Sequence, residues 1–319
     1  MSAGLYDIRI VDAGGPHELV NLELMKSQGF LERMGVNPQK TYVTNGAEAA
    51  KLVLAGACDV AMQVGFGPAL SAIVRGEPLR VIAGANLLTV HALYSKDPGI
   101  RGLKDLAGRT VGVGPLGALT HQLIYAALLK HGVDPALVRF VPMGSSSTIF
   151  KALLAGEVEA GFGETDVFDN QANYGVHALE GGVLWKELPE FPNQASFASE
   201  DALRDKRDAL VRTLAAHVLL YRCLQSPDSW EAYAAAWTAA LPAGADLEEA
   251  RAQWRFYQDY HPYADDLLLP ERQVRYMQEL NVTMGLQDRV LPFEIVTDMS
   301  LAREALRMAG APAEEMAGE

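Results

Sequence analysis

Between Tyr6 and Phe197, short β-rich runs alternate with longer helical patterns, and this alternation restricts the fold more than any other feature of the chain. A strand, a helix and a second strand in series build a parallel sheet, because parallel neighbours need a long crossover whose helix then covers the sheet face. The β-rich runs fall at 7–11, 40–43, 59–64, 79–86, 109–113, 138–141 and 159–163, with helices expected over 18–34, 47–55, 119–131 and 148–155. The fold class is α/β with largely parallel sheets.

The chain also echoes itself. The run Lys51 to Gly56 followed by Asp59 aligns with Lys151 to Gly156 followed by Glu159. Ahead of each copy stands a strand running into glycines, Asp12-Ala13-Gly14-Gly15 and Gly112-Val113-Gly114-Pro115. Internal similarity of this kind predicts two related supersecondary units, one in each of two lobes. A chain of 319 residues is long enough for about two domains. Connections near 91–97 and 189–196 would join the lobes, so that 1–93 with 197–319 form lobe 1 and 94–196 form lobe 2. After Ser199 the sequence turns Ala-rich and helical, with Trp230, Tyr233, Trp237, Trp254 and Tyr257 at the spacing of core-facing stripes. The acidic tail 311–319 is expected to fray.

Composition excludes several functions. Asp and Glu number 40 against 27 Lys and Arg, a net charge of -13 that repels nucleic acid. The cysteines, Cys58 and Cys223, can build neither a Cys₄ zinc site nor a disulfide scaffold. No apolar run is long enough to span a bilayer, and the first residues carry no basic patch or apolar core of an export signal. The seven histidines show no metal-binding spacing, and there is no P-loop and no G-x-S-x-G elbow. No cofactor and no metal are expected.

Gly112-Val113-Gly114-Pro115-Leu116-Gly117 matches G-x-G-x-x-G between a strand and a helix, the dinucleotide context. The acidic residue that should end the next strand is missing, since that strand runs into Pro142-Met143-Gly144-Ser145. What remains is a Gly-rich turn opening a helix whose free N–H groups suit an acceptor group.

Ligands of open α/β sheets bind beyond the carboxyl ends of the strands. The loops 12–17, 44–47, 65–68, 114–121, 143–148 and 164–168 would therefore face an interlobe cleft. The candidate ligand-binding residues on them are Asp12, Gly14, Gly15, His17, Asn45, Gly65, Phe66, Gly67, Gly114, Gly117, Leu119, Thr120, His121, Gly144, Ser145, Glu164 and Asp166. Ser145 to Thr148 reads first as a helix N-cap cluster and second as hydroxyl donors. Glu164 and Asp166 either sit in a solvated turn or accept from an amine or amidine. Phe66 and Phe168 either pack in the core or stack on a ring. None of these loops carries Lys or Arg, which disfavours a highly charged anion. No catalytic residue is assigned.

With these residues in hand, the chain resembles the substrate-binding proteins of ABC importers for nitrate, sulfonates, taurine and thiamine-pyrimidine precursors, a branch of the type II periplasmic-binding-protein fold. The resemblance rests on Thr44-Asn45-Gly46 with the Leu54-Ala55-Gly56 that leads to Asp59, on GLKDLAGRTVGVG from Gly102 to Gly114, and on LLAGEVEA from Leu153 to Ala160. The ending Pro270 to Leu280, then Val296-Thr297-Asp298, looks like the closing helices of the family. The resemblance implies a monomeric two-lobed protein with a helical C-terminal region. Hinge closure would capture a sulfonate, carboxylate or pyrimidine-like ligand for an ABC permease. It implies a periplasmic location if a signal peptide has been removed, and a cytoplasmic one if the chain is the natural full length. The cysteine-rich motif of the related pyrimidine synthases has no counterpart here. An enzyme on the same fold, with His17 or His121 as acid/base, is the alternative, and a cytoplasmic ligand sensor is the third reading.

Overall fold

The computed structural model describes residues 5–13, 15–241 and 246–310; Gly14 and the tail 311–319 lie outside the described residues. Ten strands are described, β1 (Tyr6–Ala13), β2 (Val36–Val43), β3 (Val60–Val64), β4 (Leu79–Gly84), β5 (Ala92–Ser95), β6 (Thr110–Val113), β7 (Arg139–Pro142), β8 (Ala160–Gly163), β9 (His177–Val183) and β10 (Ala195–Ser199). They form two five-stranded sheets, ordered β2-β1-β3-β10-β4 and β7-β6-β8-β5-β9. The strands before the two glycine turns, β1 and β6, lie in different sheets, as the internal echo predicts.

Two corrections to the sequence reading arise here. The segments read as plain connections contain β5 and β10, each antiparallel to both neighbours. Each leaves one sheet's run of strands to fill a place in the other. Both are short and mostly buried on both faces, so neither shows the alternation that marks a half-exposed strand. The single helix expected over 18–34 is two, Pro16–Ser27 and Phe30–Met34, divided at Gly29, whose φ of 68° lies in the left-handed region.

The echo has a physical basis in how each unit is locked. The Asp59 carboxylate accepts from the Arg9 backbone N–H and pairs with the Arg9 guanidinium. One hundred positions on, Glu159 accepts from the Thr110 N–H at 2.7 Å and pairs with Arg109 at 2.8 Å. In both units the carboxylate just after the helix ties the third strand to the first.

The first sheet is covered by the helix Arg207–Leu224, whose Leu214 and Val218 are fully buried in one core with Ile8, Ile10 and Met62. Each such aliphatic side chain contributes about 1.5–3 kcal/mol. The C-terminal helices also reach the second sheet's side. Gln253, on the helix Leu247–Tyr260, accepts from Thr165, which follows β8. Asn281, on the helix Glu271–Thr283, accepts from Gln122 at 2.6 Å and donates to the Gly67 carbonyl at 2.9 Å. No helix among the described residues is long and apolar enough to cross a membrane.

Candidate functional site

Six helices begin just after the parallel strands β1, β2, β3, β6, β7 and β8 end, at Pro16, Gly46, Gly67, Leu119, Ser146 and Thr165. Their starts surround a cavity of about 520 Å³, the size of a small organic ligand. Every one of the six loops expected to face a cleft contributes to its wall. The lining includes Gly15, His17, Asn45, Gly65, Gly114, Leu119, Thr120, Gly144, Ser145 and Glu164. At one wall the backbone approaches so closely that a Cβ on Gly46 would sit 1.7 Å from the Gly65 carbonyl oxygen. Only glycine fits there.

The remaining candidates fall elsewhere, each for a definable reason. Asp12 is wholly buried beneath the cavity, 2.7 Å from the Lys40 ammonium. Phe66 is a core residue with no exposed surface. Gly67 packs against the Gln122 amide, and Gly117, at φ +80°, lies against Leu286. His121 turns away from the cavity, its ring 4.7 Å from that of Phe140 and its Nδ1 accepting from the Gly117 N–H. Asp166 lines an adjoining chamber instead. Phe168 packs edge-on against Trp185.

Several residues within the cavity wall use their polar atoms on the protein itself. The Asn45 side chain caps its helix by accepting from the Ala47 and Glu48 N–H groups, and Ser145 caps by accepting from Thr148. Thr120 accepts from the Gly114 N–H at 2.7 Å, so its hydroxyl oxygen is already engaged. The capping reading of the serine cluster therefore holds for Ser145, while Ser146 lies 2.8 Å from Nε2 of His91.

Four ionisable groups of the wall, His17, Glu18, His91 and Glu164, act on one another, while Glu48 accepts from Thr44. His17 Nε2 is 2.9 Å from Glu164 Oε2, linking the first turn after β1 to the first residue after β8. Burial opposes the charge on His17, yet the hydrogen bond and charge of Glu164 raise it to about 9. Burial likewise works against the Glu164 carboxylate, but His17 holds it at about 2. Burial, reinforced by Asp12, pushes Glu18 up to about 7. Burial lowers His91, keeping it neutral. No Lys or Arg lines the cavity among the described residues. No group of His, Cys, Asp and Glu side chains placed to hold a metal ion occurs among them either.

Sequence reasoning missed the cavity's floor. Asn86, His91, Asn193 and Gln194 come from the two crossovers, and Gln253, Tyr257 and Tyr263 from the C-terminal region. The crossovers bond to each other, the Gln194 N–H donating to the Asn86 carbonyl at 2.7 Å. Asn193 is 2% exposed and its Oδ1 has no donor partner among the described residues. The available signal was the pair of connections itself, since whatever joins two lobes must pass under the cleft between them.

Two matching sheets, each completed by a strand from the far end of the other's run, with a cavity between them, define a two-lobed periplasmic-binding-protein fold. The chain belongs to the NMT1/THI5-like family, whose model matches residues 21–218. Among solved structures it is similar to the alkanesulfonate-binding protein SsuA of Xanthomonas axonopodis bound to MOPS, at 15% identity and a TM-score of 0.71, with 95% of this chain and 99% of that one covered. The periplasmic nitrate-binding protein NrtA of Synechocystis is similar at 14% identity and a TM-score of 0.74, covering 100% and 93% of the two chains. A DszB mutant in complex with biphenyl-2-sulfinic acid is similar at 16% identity and 0.62, covering 95% and 99%. No curated protein matches the sequence significantly.

Proposed function

We propose that this protein is a solute-binding protein of ABC-type import that captures a small organic ligand in the interlobe cavity, with 1–93 and 197–319 as one lobe and 94–196 as the other, save that all of β5 goes with the second sheet and all of β10 with the first. Family membership and the periplasmic relatives support capture, a periplasmic location and a permease partner. The observation that carries the ligand class is the cavity's charge. Glu164, Glu18 and Glu48 line it against a single cationic side chain, His17, Asn193 offers an unfilled acceptor, and no Lys or Arg adds to the positive side. Of the sulfonate, carboxylate and pyrimidine-like ligands the sequence allows, this wall fits the pyrimidine-like one, whose amino groups donate.

Calorimetry with an aminopyrimidine, an alkanesulfonate and nitrate tests the reading. The aminopyrimidine is expected to bind most tightly and to raise the melting temperature by mass action, and small-angle scattering to show compaction. Tighter binding of the sulfonate would overturn the ligand class, and ligand binding without compaction would overturn hinge capture. Glu164→Gln removes a charged acceptor worth about 1.5–3 kcal/mol, so aminopyrimidine affinity is expected to fall at least roughly tenfold.

The enzyme reading draws on the contact between Ser146 Oγ and a neutral His91, a hydroxyl beside a base. Of the two histidines the sequence offered, His121 is outside the cavity and His17 is held protonated, which ill suits a general base. Recovery of chemically unchanged ligand after prolonged incubation separates capture from turnover.

A further inference from the structure

Behind the His17 and Glu164 pair lies a second chamber of about 640 Å³. It adjoins the cleft and shares Pro16, His17, Ser146, Ser147, Glu164 and Gln253 with it, but the rest of its wall has a different character. Trp237, Phe150, Val167 and Leu241 give it apolar walls, and Asp166 and Glu249 line it without appearing in the cleft wall. Neither carboxylate has an ion-pair partner among the described residues. Lys151 lines the chamber as an exposed residue, and Glu164 is already matched by His17.

Two further side chains of the lining are left incomplete. Trp237 is 3% exposed and Gln253 is 2% exposed, and the indole N–H of one and the amide Nε2 of the other are buried with no acceptor. A buried donor without a partner costs about 1–3 kcal/mol. Two such donors beside two unpaired carboxylates and two aromatic rings describe the complement of a ligand.

We propose that this chamber is a second binding site, for an organic cation with an apolar body and one hydrogen-bond acceptor, such as an aryl or branched-alkyl amino alcohol. The rings of Trp237 and Phe150 take the apolar body and favour a positive charge through their π faces. Asp166 and Glu249 supply the counter-charge, and the Trp237 and Gln253 donors take the acceptor. Burial and the charge of neighbouring carboxylates raise both Asp166 and Glu249, strain that a bound cation relieves. The site goes beyond the cleft: Asp166, Glu249, Trp237 and Phe150 line the chamber alone, while Gln253 and Glu164 border both.

The test is calorimetric titration of the full chain with benzyl(hydroxyethyl)dimethylammonium, benzyltrimethylammonium and phenylacetate. Both cations are expected to bind saturably, the hydroxyethyl compound more tightly, with phenylacetate at least roughly tenfold weaker. Glu249→Gln is expected to weaken the cations roughly tenfold while leaving aminopyrimidine binding in the cleft unchanged. Asp166→Asn replaces it should that variant not fold. Absence of saturable cation binding, equal binding of phenylacetate, or cations insensitive to both substitutions would overturn the proposal. Loss of aminopyrimidine binding alone would overturn the cleft reading and leave this one standing.

Discussion

Asp12→Ala is expected to lower the free energy of unfolding by about 3–5 kcal/mol, measured as a shift of the urea midpoint at unchanged slope. Asp12 is 0% exposed and the Lys40 side chain 6%, so removing the carboxylate leaves an ammonium in the interior with nothing to neutralise it. The surroundings offer no relief. The other titratable group facing Lys40 from the helix behind the sheet is His217, which is fully buried and pushed down to about 3, first by burial and then by Lys40 itself. Replacing both partners by apolar residues of similar size, as in Asp12→Leu with Lys40→Met, is expected to recover most of the loss, because both desolvation penalties vanish together. A loss below about 1 kcal/mol for Asp12→Ala would show that water reaches Lys40 in the folded state.

That buried pair also explains where the sequence misled. Asp12 stands at the end of β1, beside glycines, where a ligand-binding residue of an open α/β sheet belongs. Its partner lies 28 positions away on the neighbouring strand, and only the parallel register, Asp12 opposite Tyr42, brings Lys40 within reach. Features fixed by local chemistry were legible. The glycine turns and the Ser145 cap follow from neighbouring residues, whereas the Asp59 and Glu159 locks bridge about 50 positions, and the sequence showed only that the two carboxylates recur one hundred positions apart. The loops that present backbone to the cavity were legible for the same reason. What depends on the return of the chain was not. β5 and β10 are brief, buried runs whose pairing is set by the opposite sheet, and Asn193, Gln253 and Tyr263 reach the cavity only because the crossovers and the C-terminal helices pass under it. The charge of the cavity lay between these cases. The absence of Lys and Arg was visible along the loops, but the joining of His17 to Glu164, 147 positions apart, was not.

That joining makes stability depend on pH with a sign that can be worked out. His17 rises from 6.5 unfolded to about 9 folded. Its contribution is therefore fully present below pH 6.5 and lost as the pH climbs through 9. Glu164 falls from 4.5 to about 2, so its contribution is present above 4.5 and disappears only in strong acid. Glu18 works on a lower window. Its carboxyl is raised from 4.5 to about 7, so folding loses stability from pH 4.5 upward until Glu18 is ionised in the folded state. His91, lowered by burial, and Asp166, raised by burial, complete the groups around His17. The His17 and Glu18 slopes share a sign, and the protein is expected to melt at a lower temperature near pH ~9.5 than near pH ~6. With His17 and Glu164 side chains 21% and 29% exposed, screening trims the His17 part to about 2–3 kcal/mol. Glu164→Gln separates the two sources. It is expected to abolish the fall in melting temperature above pH 6.5 that His17 causes, while the fall between 4.5 and 7 caused by Glu18 persists. An unchanged alkaline limb in Glu164→Gln would mean that His17 draws its charge from another carboxylate, Glu18 or Asp166, and that the link between the first turn after β1 and the residue after β8 does not hold the lobes together.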